Sequence, residues 1–350
     1  MQNSEKRAAL KPTESWPARA MPTMDDVAEA SGFSQMTVSR AFLESASIKK
    51  DTRDRILAAA AEIGYYHNKA ASNLASQRSR SFGIILPTLQ DSIYMPFVEA
   101  ARHVFESHRF EHVLQTIDYA RGRESHAIGS LLSQRVQAIL LPSIGHTART
   151  RKLLESLPIP LIEVGNLPKR PIHFAVGHSD FEAGYLATKR LIDIGRRKIA
   201  IICGFVRDTA NARDRLSGYC RAMDEAGLQV IERRQAQVEH SIDAGLAGLD
   251  CLLRSARALD GIVIGGEIWT SAVILRLLKM GRNIPDDVAI VGVGEVELGP
   301  YLPVPLTYVS LPRRETGTRS AELAVALLGG GKIDEPVVKL PVNLVINGTA

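Results

Sequence analysis

Five residues in one short helical stretch, Gln35, Met36, Thr37, Ser39 and Arg40, have the side-chain types that read base edges in duplex DNA. Glutamine pairs bidentately with adenine and arginine with guanine, whereas methionine and threonine pack on thymine methyls. Other clusters spell enzyme chemistry and fail it on context. His108-Arg-Phe-Glu-His112 matches a zinc-protease spelling, which needs both histidines on one helical face and a third ligand. Here the helical pattern stops near Ser107 and an alternating strand starts at Glu111, so no metal site is expected. Gly292-Val-Gly294 has the start of a dinucleotide loop, but no third glycine in spacing and no helix to cradle a phosphate follow it. There is no P-loop and no GxSxG elbow, so neither an enzyme activity nor a cofactor is expected. Cys203, Cys220 and Cys251 lack metal-like spacing and read as reduced core residues of a cytosolic protein.

Two helices must position the base-reading residues. Thr23 can cap the first, with Asp26 three residues on as its capping-box partner, and Val27 and Ala28 supply the inner face. Gly32 permits the positive φ of a tight turn. Ser34 then caps the second helix, whose Val38 and Ala41 point inward and leave its leading turn to the outside. A third amphipathic helix over 52–63 brings Ile56, Leu57, Ala60 and Ile63 to a miniature core.

Beyond Ser81 the texture changes. Apolar runs at 82–87, 111–117, 138–142, 161–164, 198–203, 261–264 and 288–293 alternate with helical patterns at 96–107, 124–133, 181–194, 212–226 and 270–280. Such alternation predicts parallel sheets covered on both faces, and about 270 residues of it make two α/β lobes more comfortably than one sheet. A cleft between the lobes is the natural ligand site. Composition is that of a globular protein, 45% hydrophobic and 23% charged. No apolar run approaches the ~18 residues a membrane span needs, and residues 1–20 lack an apolar h-region, so no membrane partner and a cytoplasmic location are expected. Net charge is uneven: residues 1–80 hold 12 Lys/Arg and 9 Asp/Glu, and the remainder 31 and 29, giving +3 and +2. The excess is compatible with phosphate contact and too small to prove it.

Asp26-Val-Ala, Gly32, Thr37-Val-Ser-Arg40, Thr52-Arg53, Gly64-Tyr65 and Asn68 together resemble the head of the LacI/GalR repressor family. The resemblance implies double-stranded operator DNA as partner, read through Thr23, Ser34, Gln35, Met36, Thr37, Ser39 and Arg40, with Asn68, Ala71 and Leu74 on a hinge helix over 68–76. Leu74 falls where that family wedges a leucine into the minor groove, and Ala70, Ala71 and Ala75 are small enough for two hinge helices to pack. The implied organisation is a disordered tail at 1–21, a helix-turn-helix domain at 22–67, a hinge helix and linker at 68–80, and an effector-binding and dimerisation core at 81–350. The fold class is an α-helical head plus a two-lobed, periplasmic-binding-protein-like α/β core.

The similarity continues, more thinly, through Leu86-Pro-Thr88, Phe174-Ala-Val-Gly177, Phe181-Glu-Ala-Gly184, Arg215-Leu-Ser-Gly-Tyr219, Ile284-Pro-Asp-Asp-Val-Ala289 and Pro305-Leu-Thr307. It implies that Arg215 grips a sugar hydroxyl or carboxylate, with Asn211 and Arg213 on the same approach. Glu267 stands where the family usually has an aspartate, and Trp269 either stacks on the ligand or fills core. Gln90, Asp91, Tyr94 and Met95 form the facing wall, and one residue among His178, Ser179 and Asp180 meets the ligand. Loop phrases such as Gln35-Met-Thr-Val-Ser-Arg40 look most like gluconate-utilisation repressors, which favours a sugar-acid effector. The expected protein is a homodimeric repressor released by its effector. A corepressor-activated regulator of the same fold, a tetramer, and a sugar-binding protein without a DNA role remain open.

Overall fold

The computed structural model describes residues 21–42, 48–67, 79–89, 92–117, 123–143, 145–255, 259–331, 333 and 335–350. Asn68, Ala71, Leu74, Gln90 and Asp91 lie outside the described residues. Two compact units are present, Met1–Gln77 and Arg78–Ala350.

In the first unit, α1 (Met24–Ser31), α2 (Gln35–Ala41) and α3 (Lys50–Glu62) surround a small core of Val27, Val38, Ala41, Ile56, Ala60 and Tyr65. Thr23 and Asp26 form a reciprocal capping box, which satisfies donors at the start of α1. Gly32 closes α1 at φ 72°, a left-handed conformation that glycine adopts without steric cost. Ser34 caps α2 by accepting from the Thr37 N–H. Leu57, expected in the core, is instead 40% exposed, because α3 turns only the Ile56–Ala60 stripe inward.

The second unit contains two six-stranded sheets. The first lobe holds β1 (Ser81–Leu86), β2 (Glu111–Thr116), β3 (Ile139–Pro142), β4 (Leu161–Asn166), β5 (Phe174–His178) and β11 (Val337–Lys339), in the order β11-β5-β4-β3-β1-β2, all parallel. The second holds β6 (Ile199–Gly204), β7 (Gln235–Val238), β8 (Gly261–Gly265), β9 (Ala289–Val293), β10 (Thr307–Ser310) and β12 (Asn343–Val345), in the order β12-β10-β9-β8-β6-β7, with only β12 antiparallel. Two apolar clusters accompany each sheet, as expected when helices cover both faces. These helices are α4 (Met95–Ser107), α5 (Glu124–Ser133), α6 (Ala148–Glu155), α7 (Asp180–Asp193), α8 (Ala210–Glu225), α9 (Ile242–Ser255), α10 (Glu267–Lys279) and α11 (Arg313–Leu328).

The chain changes lobe three times: after β5, after β10 and after β11. The last two crossings involve strands of three or four residues that periodicity did not reveal. α10 begins at Glu267 rather than near residue 270, with Gly266 at its N-cap. Among the cysteines only Cys203 is fully buried; Cys220 is half-buried, Cys251 is exposed, and all three are free. α4 ends at Ser107, and Glu111 and His112 stand on β2, so the zinc-protease spelling straddles a helix end and a strand.

Candidate functional site

On the head, Gln35, Met36 and Arg40 are exposed on α2, Met36 at 67%, while Thr37 and Ser39 are half-buried. Thr23 and Ser34 spend their hydroxyls on local bonds: Thr23 Oγ1 donates to Asp26 at 2.8 Å, and Ser34 Oγ meets Thr37 Oγ1 at 2.9 Å. Thr23 thereby caps α1, and Ser34 caps α2.

In the core unit, a cavity of about 270 Å³ lies between the lobes. Its walls are the C-terminal ends of β1, β3, β4 and β5 on one side and of β6, β7 and β8 on the other. That is where ligands bind parallel α/β sheets, since the following helices point their N-termini into the crevice. Tyr94, His178, Asn211, Arg215, Glu267 and Trp269 all line it. Met95, Asp180 and Arg213 do not. Met95 is the first residue of α4 and is half-buried against the first-lobe core. Asp180 is fully buried behind the wall and acts through Arg215. Arg213 is exposed on the first turn of α8 and lines a second cavity.

Arg215 is buried on the second turn of α8, where its Nε donates to Asp180 Oδ1 at 2.6 Å and its Nη1 to the Gly265 carbonyl at 2.7 Å. Burial opposes its charge, but the Asp180 and Glu267 carboxylates outweigh that and hold the guanidinium firmly protonated. Asp180 is oriented in turn by its own N–H, which donates to Asn166 Oδ1 at 3.0 Å. Glu267 begins α10, where the helix dipole favours an anion, and it accepts from Arg313 Nη2. Gly294 lies against that carboxylate at φ +94°, so any side chain there would strain the backbone and push the Glu267 carboxylate aside. The Gly292-Val-Gly294 segment thus has a steric purpose unrelated to nucleotides.

His178 is 4% exposed on the cavity wall, and neither ring nitrogen has a hydrogen-bond partner. Burial pushes its pKa down to about 4, leaving a neutral ring with one donor and one acceptor. Asn211 Oδ1 and Trp269 Nε1 are likewise buried, on the wall and without partners. Trp269 belongs to the second-lobe core and also lines the cavity.

Sequence reasoning missed Arg313, Glu239 and His240. Arg313 opens α11 immediately after the second lobe crossing, and its guanidinium lies 5.8 Å from the Tyr94 ring centroid, linking second-lobe Glu267 to the first-lobe wall. The signal for it was Pro312-Arg313 after an apolar run, legible only once β10 is recognised. Glu239 and His240 follow β7, another four-residue strand. His240 meets Trp269 edge-on at 5.8 Å.

A helix-turn-helix head, followed by two lobes around a mostly apolar cavity with a few buried charged and polar groups, is the architecture of a ligand-responsive DNA-binding regulator. Residues 23–68 match the family model for bacterial regulatory proteins of the lacI family, and residues 188–350 match the periplasmic binding protein-like domain. The transcriptional regulator GntR of Escherichia coli K12 is 27% identical over 328 residues, covering 94% of this chain and 98% of that protein. A LacI-family regulator from Silicibacter pomeroyi superposes with a TM-score of 0.84 at 27% identity, over 94% of this chain and 99% of its own. The regulator CelR in complex with cellobiose superposes at 0.70 with 26% identity, over 94% and 100%. The chain belongs to the LacI family of transcriptional regulators.

Proposed function

We propose that this protein is a cytoplasmic, homodimeric repressor whose two heads read half-sites of a near-palindromic operator and whose cleft takes a sugar or sugar-acid effector that releases it from DNA. The observation that carries the effector reading is the set of buried polar atoms without a hydrogen bond on residues of both cavity walls: the two His178 nitrogens on the first-lobe side, and Asn211 Oδ1 and Trp269 Nε1 on the second-lobe side. Buried polar groups left without partners are costly, about 1–3 kcal/mol each, and ligand hydroxyls relieve that penalty. The cellobiose complex of the similar regulator CelR supports a sugar as the class of effector.

Coupling between cleft and DNA runs through the linker at 68–80, with Asn68, Ala71 and Leu74 on its hinge helix. Support comes from the described end of that linker, which is tied to the first lobe. Ser79 Oγ donates to the Arg135 carbonyl at 2.5 Å, and the Glu111 N–H donates to the Arg80 carbonyl at 2.8 Å. A movement of the lobe is therefore transmitted to the departing chain.

A gluconate-like acid is favoured by the loop phrases and by the spare donors of Arg215 and Arg313. The neutral-sugar reading has its own observation, since both guanidiniums already face carboxylates, Asp180 and Glu267. Calorimetry of the full chain with gluconate, its phosphorylated form and neutral hexoses decides between them; heat from neutral hexoses alone ends the acid reading. Operator affinity with and without the bound sugar gives the sign of regulation, and tighter DNA binding with ligand makes it a corepressor. Arg40→Ala is expected to weaken operator binding ten- to a hundredfold, about 1–3 kcal/mol for a lost bidentate base contact, while leaving effector affinity unchanged.

A further inference from the structure

We propose that the second cavity of the core unit is a binding site for a small phosphate-bearing anion, separate from the sugar cleft. It lies at the edge of the lobe junction, walled by first-lobe residues from Ser143 to Arg170 and by Ala210, Arg213 and Asp214 at the start of second-lobe α8. Arg151, Lys169, Arg170 and Arg213 line it, together with His146, which the Glu124 and Glu163 carboxylates keep protonated. Neither Lys169 nor Arg170 makes a side-chain ion pair among the described residues, although both are next to each other on one loop.

That loop, between β4 and β5, is held from several sides. The Leu167 N–H donates to the His178 carbonyl at 2.8 Å, the Ile172 N–H to Glu163 Oε2 at 2.7 Å, and Arg151 Nη1 to the Arg170 carbonyl at 3.2 Å. Pro168 and Pro171 restrict it further. The loop backbone is thus held, with two exposed cationic side chains without an ion pair side by side on it, and an anion between them lowers their mutual repulsion.

Arg213 adds a cation from the other lobe, only loosely paired with its neighbour Asp214. It occupies the first turn of a 16-residue helix, where the dipole disfavours a cation, and its nearest carboxylate, Asp214, is 3.9 Å away. Helix N-terminus and guanidinium point to one kind of ligand. The carboxylates on the wall are already engaged. Asp214 Oδ2 accepts from Asn166 Nδ2 at 2.7 Å, and Glu163 accepts from Ile172 and from His146, 3.3 Å away. His146 in turn also meets Glu124 at 3.0 Å.

An anion held here joins Arg213 of one lobe to Lys169 and Arg170 of the other, and so stabilises the arrangement of the lobes that brings these residues to one cavity. Its linkage to DNA rests on the cleft reading above, whereas the binding itself does not.

The test is titration of the full chain with inorganic phosphate and with glycerol 3-phosphate, using sodium chloride at matched ionic strength as the control. Wild type is expected to bind at least one phosphate species and to gain Tm with it. The K169A/R170A double variant, whose side chains are exposed, is expected to bind at least tenfold more weakly with an unchanged urea midpoint in the absence of anion. Arg213→Gln weakens it from the other lobe. Tighter binding of glycerol 3-phosphate assigns a phosphomonoester, and tighter binding of inorganic phosphate assigns the free ion. Equal affinity in wild type and double variant, binding of neither species, or the same Tm gain from chloride overturns the proposal.

Discussion

Two buried histidines in the core unit face opposite circumstances. His146 sits between Glu124 Oε1 and Glu163 Oε1, with both carboxylates about 1% exposed. Burial pulls its pKa down, but hydrogen bonds and charge from the two glutamates outweigh burial and raise it to about 9. His178 lies in the cleft, with both ring nitrogens unpartnered, and burial pushes it down to about 4. One is charged with its bonds made inside the protein; the other is neutral with its bonds still to make. A saturated buried cluster stitches α5, β4 and the loop after β3 together, while an unsaturated one waits for a ligand.

The comparison breaks most readily at His146. His146→Ala leaves two glutamates buried together, and the expected loss of stability is about 3–5 kcal/mol in urea unfolding. A loss below about 1 kcal/mol would mean that this cluster holds nothing.

The pH dependence separates the two histidines next. The folded pKa of His146 exceeds its unfolded value near 6.5, so its stabilisation is complete below pH 6.5 and disappears as pH rises through about 9. The expected loss across that window is about 3 kcal/mol, at 1.36 kcal/mol per unit. His178 has the opposite sign. Its folded form binds fewer protons than the unfolded chain between pH 6.5 and about 4, so stability falls as pH falls through that window. Subtracting the urea midpoints of His178→Asn from those of wild type isolates this acid limb. A flat difference from pH 4 to 6.5 contradicts a buried neutral ring.

Effector binding gives the smaller effects. Arg215→Ala removes the guanidinium that Asp180 and Gly265 hold in place, and calorimetry is expected to show effector affinity at least a hundredfold lower. His178→Ala is expected to weaken it about tenfold, close to one hydrogen bond. Unchanged affinity in the His178 variant would place the ligand elsewhere in the cavity.

The helix-turn-helix was legible because every device that builds it is local: Thr23 with Asp26, Gly32, and Ser34 with Thr37 lie within three residues of their partners or act alone. The long buried strands and their amphipathic helices were legible from period. β5, β7, β10, β11 and β12 were not: the equally short β3, β8 and β9 are fully buried and read as continuous apolar runs, whereas these strands are partly exposed or, in β5, end in Gly177-His178. With β7 and β10 went Glu239, His240 and Arg313, which those strands deliver to the cleft.

Residue type and spacing by themselves determined the α-helical head and the two-lobed α/β core, and the family resemblance singled out Arg215 and Glu267. Only the tertiary structure decided which charges meet. It set Asp180 behind Arg215, paired Glu267 with Arg313 across 46 positions, and sent Arg213 to a different cavity two residues from Arg215. The reason is geometric: residues two apart on a helix diverge by about 200°, and partners distant in sequence meet only where separate strands end in one crevice.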